Sequence, residues 1–232
     1  MIVPGFNNRY PKDGDDELWS YADCRNDRII IESCCTTLED ALSAQRRGAD
    51  RIEFCTDLSV GGVTPPRELI KEVVEALKIP VNVLIRDARQ LDFVYDEAAM
   101  QRMMADIEYG KSVGAAGIVV GALTPDGAID VAAMRRLMAA ASPLPVTFHR
   151  AFDVCTQDPF DALETVIGLG CTRLLTSGMA PTAWDGRALL KQLVVRAGDR
   201  LILLIGRGVT PANIKSLAAE TGAREFHGTA LP

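Results

Sequence analysis

The sequence predicts a single (β/α)8 barrel, and three observations lead to that fold class. Short β-rich apolar runs alternate with longer amphipathic stretches from about residue 28 onwards. Such alternation is typical of parallel strands joined by right-handed helical crossovers. Eight strand-like runs occur in about 200 residues, which favours a closed barrel over an open doubly wound sheet. The open sheet is the alternative, but no GxGxxG motif follows the first strand as its dinucleotide-binding form would require.

The predicted strands and helices follow one another in strict alternation. The strands cover residues 29–33, 51–55, 81–86, 117–121, 145–150, 172–177, 201–205 and 224–228. The helices cover residues 37–47, 66–78, 96–112, 130–141, 157–168, 182–196 and 211–221. Proline with a small polar residue marks three helix starts, at 64–66, 158–159 and 210–211.

The two ends of the chain differ from those of a regular barrel. The chain stops at Pro232, so we expect the usual helix after strand eight to be missing. We divide the chain into an N-terminal extension, residues 1–28, and a barrel domain, residues 29–232. Outward residues of strand eight, such as Phe226, are then expected to lack their cover. The extension, with Trp19 and Tyr21, or a neighbouring subunit is expected to close that gap.

Composition limits the classes of partner. The net charge is −6 without a basic block, which argues against nucleic acid or an anionic membrane surface as the partner. No apolar run approaches the roughly 20 residues that span a bilayer, and the start lacks signal-peptide features. We therefore expect a cytoplasmic protein with reduced cysteines. The six cysteines contain no CxxC pair of the kind that holds structural zinc.

The alternation along the strands predicts a polar barrel interior. The apolar face of each strand must meet the helices, so the polar face points inward. Interiors of such barrels are mostly filled by bulky aliphatic side chains, which makes this pattern unusual. The inward set contains both signs of charge: Glu32, Glu53, Arg86, His149, Glu225 and His227. Buried charges are costly unless paired, so the set indicates either a structural ion network or a functional site.

Position along the strands favours a functional site. Five polar side chains lie near strand C-terminal ends, where barrel enzymes place their active sites: Glu53, Arg86, His149, Arg150 and His227. The chain has only two histidines, and one of them, His149, lies at a predicted strand tip in the stretch VTFHRAFD, residues 146–153. Asp153 follows it in the loop and is placed either to orient the His149 ring or to pair with Arg150.

Several motifs resemble those of the copper homeostasis protein family CutC. They are ALSAQRRGADRIEFC (41–55), GGVTPP (61–66), DGAIDVAAM (126–134), PLPVTFHRAFD (143–153), LLTSG (174–178) and EFH (225–227). The likeness runs from about residue 29 to residue 228. The resemblance implies a TIM barrel that assembles into homo-oligomers and has a link to copper.

The resemblance also implies a copper(I) site. Cys34 and Cys55 fall at positions where cysteines are proposed to bind copper(I) in the family. Soft thiolates select copper(I), and the two residues end neighbouring predicted strands, which lie about 4.8 Å apart. The alternative is that both cysteines are small buried hydrophobic residues.

A second hypothesis is an enzyme that acts by acid–base chemistry on a small phosphorylated or carboxylated substrate. Glycine turns before helices bind phosphate, and Gly206-Arg207-Gly208 is such a turn after strand seven. The predicted substrate-binding residues are Glu32, Arg86, Arg150, Ser177, Gly206, Arg207 and Gly208. The predicted catalytic residues are Glu53, His149, Asp153 and His227, with His149 or Glu53 moving the proton. A third hypothesis is a divergent barrel kept for assembly alone.

The chain departs from the family pattern at the predicted pocket rim. It has IRDARQLDF at 85–93 where family members resemble IRPRGGDF. It has IGRGV at 205–209 where members resemble PGGGI, so that Arg207 stands in place of a glycine. The C-terminal tail is also shortened. These changes leave the fold prediction intact and bear on the chemistry of the rim.

Overall fold

The structure, a computed structural model, describes residues 28–229. Eight parallel strands form one closed barrel in sequence order, which confirms the predicted fold. Within the described residues, every helix is too short or too polar to cross a bilayer. Residues 1–27 lie outside this part, so the expected roles of Trp19 and Tyr21 stay predictions.

The strands are β1 (Ile30–Cys35), β2 (Arg51–Phe54), β3 (Val81–Leu84), β4 (Gly117–Val120), β5 (Val146–Phe148), β6 (Arg173–Thr176), β7 (Ile202–Ile205) and β8 (Glu225–Gly228). The helices are α1 (Leu38–Arg47), α2 (Arg67–Ala76), α3 (Glu97–Ser112), α4 (Val131–Ala141), α5 (Pro159–Gly168), α6 (Arg187–Ala197) and α7 (Ile214–Thr221). Strand β5 is shorter than predicted because a 3-10 helix, Arg150–Val154, begins directly after His149.

Two helices begin three or more residues later than the sequence predicts. Helix α7, expected from residue 211, begins at Ile214 because Thr210 and Asn213 form a separate turn, in which the Thr210 N–H donates to Asn213 Oδ1. Helix α6, expected from residue 182, begins at Arg187 after a turn in which Thr182 Oγ1 accepts from the Asp185 N–H. In both places a small polar residue closes its own turn instead of capping the helix.

The outer face of the barrel packs against the helices. Phe54, Phe148 and Phe226 are completely buried in this layer. Phe226 is therefore covered, and the part expected of the N-terminal extension in that cover stays a prediction. Phe226 faces Ile31 in the β1–β8 register and belongs to the main hydrophobic core, which spreads over both neighbouring strands.

The inner face carries a network of ion pairs near the N-terminal ends of the strands. We call Glu32, Arg51, Asn82, Arg173 and Glu225 the base network. Arg51 donates to Glu32 and to Glu225 at 2.5 Å each, Arg173 donates to Glu225 at 2.8 Å, and Asn82 donates to Glu32 at 3.1 Å. Each buried charge in the network therefore has an opposite charge beside it, as burial requires.

Candidate functional site

A cavity of about 440 Å³ opens at the C-terminal ends of the strands. We call it the mouth pocket. Its lining includes these predicted site residues: Cys34, Glu53, Cys55, Arg86, His149, Arg150, Arg207, Gly208 and His227. Four others lie outside the lining: Glu32, Asp153, Ser177 and Gly206. Position at this end of a barrel and a volume within the usual range of ligand sites both identify it as the candidate site.

Cys34 and Cys55 form a thiol pair on the pocket floor. Their Sγ atoms are 3.5 Å apart, because both side chains point inward from the ends of β1 and β2. With Leu84 and Val119 they form a small apolar cluster inside the barrel. The contact with Cys55, burial and the nearby Glu53 together raise the pKa of Cys34 far above its usual range. Cys35 points to the opposite side of β1, into the main core.

Glu53 is the carboxylate nearest to this pair. Its Oε1 lies 3.9 Å from Cys34 Sγ, and its buried Oε2 has no hydrogen-bond partner within residues 28–229. Burial raises the pKa of Glu53 to about 7. Cys34, Glu53 and His227 each bring one ligand atom within 4.8 Å of the other two. Only the two cysteines were predicted as metal ligands, whereas the structure adds an oxygen and a nitrogen donor beside Cys34.

His227 connects the mouth pocket to the base network. Its Nδ1 lies 2.9 Å from Glu32 Oε1. Burial by itself would lower the pKa of His227, but the charges of Glu53 and Glu32 and the bond to Glu32 outweigh it and raise the pKa. Burial likewise opposes the charge of Glu32, yet His227 and Arg51 hold the pKa of that carboxyl at about 2. Glu32 is therefore a buried supporting group rather than a group in contact with a pocket ligand.

Arg86 holds two loops of the pocket rim together. Its Nη1 donates to the carbonyls of Val60 at 2.7 Å and Gly62 at 2.9 Å, and its Nη2 donates to that of Leu91 at 2.5 Å. The guanidinium also stacks on Phe93, 4.5 Å from the ring centroid. Arg86 was predicted to anchor an anion. Most of its donors are instead used by main-chain carbonyls, so it contributes mainly its positive charge to the pocket.

His149 lies at the tip of β5 with its ring against Phe93, whose centroid is 5.0 Å away. Its Nδ1 accepts a hydrogen bond from the Ala151 N–H at 3.1 Å. The ring fits closely over Gly121, where an added Cβ would lie 2.5 Å from both Cε1 and Nδ1. The main chain therefore orients the His149 ring, a role that was one of the two predicted for Asp153.

Asp153 has the other role that was considered for it. Its carboxylate accepts from Arg150 Nε at 3.0 Å, from the Thr176 hydroxyl at 2.5 Å and from the main-chain N–H of Ser177 and Met179. These bonds hold the loop after β6. Ser177 is part of the same arrangement, because its hydroxyl lies 3.0 Å from the carboxylate. Both residues thus support the rim from behind the pocket lining.

Backbone strain is concentrated around the mouth pocket. Four residues other than glycine have positive φ in the described chain: Asp57, Phe93, Met179 and Arg207. Each lies in a loop that follows a strand of the barrel. Such conformations are costly and cluster at functional sites. One of these residues stands out in the sequence itself, since Arg207 occupies a position where the CutC pattern has glycine.

Three comparisons with known proteins agree on one family. The CutC family model matches residues 29–231. A family protein CutC of Parabacteroides distasonis is 50% identical over 203 residues, which cover 87% of this chain and 82% of that protein. A human protein named copper homeostasis protein cutC homolog is 45% identical over 202 residues, covering 87% of this chain and 73% of the relative.

A solved structure extends the likeness to three dimensions. The crystal structure assigned to a copper homeostasis protein CutC from Streptococcus agalactiae is 33% identical to this chain and superposes with a TM-score of 0.84. The match covers 88% of this chain and 100% of that one.

Proposed function

Because the chain belongs to the CutC family, we propose that it serves copper homeostasis by binding copper(I) through Cys34 and Cys55. The observation that carries this proposal is the buried thiol pair in the mouth pocket, with 3.5 Å between the two sulfur atoms. Copper(I) is a soft ion that prefers thiolate ligands. A member of this family named for copper homeostasis adds a functional context that the geometry alone does not supply.

The donor set around the thiols suits a soft cation. Glu53 and His227 lie close enough to Cys34 to supply a third ligand atom. The raised pKa of Cys34 means that this thiol is protonated without a metal. Copper(I) must therefore displace its proton, and the affinity for copper(I) falls as the pH falls. Leu84 and Val119 give the two sulfur atoms apolar neighbours on the other side.

A competition titration tests the copper proposal. Reduced protein is titrated with copper(I) against a chromogenic chelator, and the affinity is compared between the wild type and Cys34→Ser with Cys55→Ser. We expect one equivalent to bind and the double variant to lose at least about 100-fold in affinity. Cys35→Ser is the matched control, because it removes the neighbouring sulfur that points into the outer core. An equal loss of copper(I) affinity in the control and in the double variant would refute binding by the pocket thiols.

A second candidate function is an enzyme that acts by acid–base chemistry on a small phosphorylated or carboxylated substrate. The observation that favours it is the excess of positive charge in the mouth pocket. Arg86, Arg150 and Arg207 line the pocket, and only Arg150 has a carboxylate partner in the described chain. Glu53, with a pKa of about 7, is the group best suited to move a proton near neutral pH.

Hydrogen–deuterium exchange into candidate substrates tests this second function. Copper-free protein is incubated in deuterated water with small sugar phosphates and oxo acids, and mass spectrometry follows deuterium uptake at carbon. We expect uptake with wild type and at least a roughly 100-fold slower rate with Glu53→Gln. Uptake that persists in Glu53→Gln would assign the proton transfer to another group. If neither the sugar phosphates nor the oxo acids take up deuterium, acid–base catalysis on these two classes of substrate is refuted.

A further inference from the structure

The main chain holds the imidazole of His149 in one proton arrangement. A main-chain N–H acts only as a donor, so the bond from Ala151 requires an unprotonated Nδ1. The neutral ring therefore carries its proton on Nε2. Burial, together with the facing charges of Arg86 and Arg150, lowers the pKa of His149 to about 3, which agrees with a neutral ring.

His149 lines the mouth pocket, and its buried Nε2–H donor has no partner in the described part of the chain. A buried donor without a partner is unfavourable, and cavities that contain one commonly bind a ligand or water oxygen there. Glu53 also lines the pocket, and its buried Oε2 has no partner in the described residues either. The pocket thus brings together one neutral N–H donor and one carboxyl oxygen that the protein leaves unpaired.

The rim adds a cation to this pair. Arg207 lines the pocket and makes no ion pair with any residue of the described chain. Arg207 has a positive φ of 75° and lies in the loop that borders the cavity. Gly208 and Thr210 line the pocket beside it. The planar fork of a guanidinium matches the geometry of both carboxylate and phosphate groups.

We propose that the mouth pocket binds a small anionic hydroxycarbonyl compound. The His149 Nε2–H donates to the carbonyl oxygen, Glu53 accepts from the hydroxyl group, and Arg207 pairs with a terminal carboxylate or phosphate. This assignment rests on the second candidate function and names its substrate class. A cavity of about 440 Å³ accommodates a molecule of three to five carbon atoms with its anionic group.

The assignment changes the role of His149 that the sequence suggested. A ring that keeps its proton on Nε2 and stays neutral polarises a carbonyl group without giving up or taking a proton. The proton of the carbon next to the carbonyl would then pass to the Glu53 carboxylate, the C–H bonding pair would form a carbon–carbon double bond, and the carbonyl π electrons would move to oxygen. The His149 donor would stabilise the resulting enolate oxygen. The proton returns from Glu53 to carbon, so that no other reactant is consumed.

Matched ligand pairs and histidine NMR test the assignment on copper-free, full-length protein. One pair is dihydroxyacetone phosphate and glycerol 3-phosphate, and the other is hydroxypyruvate and glycerate. Each pair differs in the carbonyl group, and the two pairs separate a phosphate from a carboxylate. In wild type we expect the carbonyl member of one pair to bind roughly tenfold tighter than its alcohol. We expect that preference to vanish in His149→Phe and overall affinity to fall roughly tenfold in Arg207→Gly.

The chain has only two histidines, so protein labelled with ¹⁵N-histidine reports both rings without any substitution. We expect His149 to be the Nε2–H tautomer throughout the neutral range, with its Nε2 signal shifting when the carbonyl ligand binds. A proton on Nδ1, equal affinity within both pairs, or no binding of any member would overturn the assignment. Binding with the expected preference but without deuterium uptake would leave the site standing and refute the catalytic function.

Discussion

The base network and the mouth pocket share one barrel interior and similar residue types, yet they differ in how their polar groups are used. In the base network, Arg51 bridges Glu32 and Glu225, and every charge has a partner. In the mouth pocket, Glu53 and His149 have unpaired buried atoms, and Arg207 lacks a carboxylate in the described chain. Burial of charge is unfavourable in both regions. Ion pairs offset this cost in the base network, but not in the mouth pocket.

The difference shows that the two ends of the same strands have different roles, one in stability and the other in function. Barrels of this class keep their stabilising residues at the N-terminal ends of the strands and their reactive residues at the C-terminal ends. His227 and Glu53 lie at the boundary, because one contacts Glu32 below and the other contacts Cys34 above. Removing the buried charge of Glu32 and that of Glu53 should therefore change stability in opposite directions.

Arg51→Met should produce the largest effect, because it breaks the base network at its centre. It leaves Glu32 and Glu225 buried without their common partner, which is expected to cost about 3–5 kcal/mol of unfolding free energy. Denaturant unfolding measures this. Arg136→Met is the control, since its pair with Glu97 is exposed and should contribute less than about 1 kcal/mol. Similar losses of unfolding free energy in Arg51→Met and Arg136→Met would contradict a stabilising role of the base network beyond that of an exposed ion pair.

Glu32→Gln and Glu53→Gln should have opposite effects on stability near neutral pH. The pKa of Glu32 is lowered to about 2, so its carboxylate contributes stability that is present above about pH 4.5 and is lost as the pH falls through about 2. The pKa of Glu53 is raised to about 7, so its ionisation removes stability as the pH rises from about 4.5 through 7.

Unfolding free energies near pH 8 and pH 5 test this pair of variants. Near pH 8 we expect Glu32→Gln to lose about 3 kcal/mol and Glu53→Gln to gain about 1–3 kcal/mol. Near pH 5 the gain in Glu53→Gln should nearly disappear, because the wild-type carboxyl is then mostly protonated. If both variants lose unfolding free energy near pH 8, the buried charge of Glu53 is stabilised by its surroundings as that of Glu32 is.

Gly121→Ala should disturb the mouth pocket through the ring of His149. The added Cβ would lie 2.5 Å from two ring atoms, so the ring must move, at a cost of about 1–3 kcal/mol. Unfolding measurements and the histidine NMR signals report the two effects. Gly168→Ala is the control, because a Cβ there meets nothing within 4 Å and should stabilise helix α5 by up to about 1 kcal/mol. Unchanged His149 signals in Gly121→Ala would refute the close fit.

Arg207→Gly should produce the smallest effect, a gain of up to about 1 kcal/mol, because glycine relieves the positive φ at this rim position. Arg207→Ala removes the same charge but keeps the strained conformation, so it should show no gain. Thermal unfolding of the two variants separates strain from charge. A larger gain in the alanine variant would assign the effect to charge.

The sequence was sufficient to predict the barrel and the inward polar face because both follow from periodicity. Alternation along each strand placed Glu32, Glu53 and His149 inside, and the structure has them there. Arg173 was missed as a member of the base network, although the same alternation places it inward. That residue begins β6, and a single strand pattern does not identify its partner on β8.

The finer geometry of the pocket could not be predicted from the sequence. Whether Arg86 pairs with a ligand or with loop carbonyls depends on where the loops after β2 and β3 run. The orientation of His149 depends on a 3-10 turn that begins at the next residue. The roles expected for Arg86 and Asp153 therefore changed, whereas the proximity of Cys34 and Cys55 followed directly from adjacent parallel strands.

X-ray absorption at the copper edge tests the central claim most directly. Reduced protein carrying one equivalent of copper(I) is measured as wild type and as Cys34→Ser with Cys55→Ser. The account predicts a first shell with two sulfur atoms and at most one nitrogen or oxygen in the wild type, and loss of the sulfur contribution in the double variant. A shell of nitrogen and oxygen alone, or an identical sulfur signal in both proteins, would contradict copper binding at the mouth of the barrel.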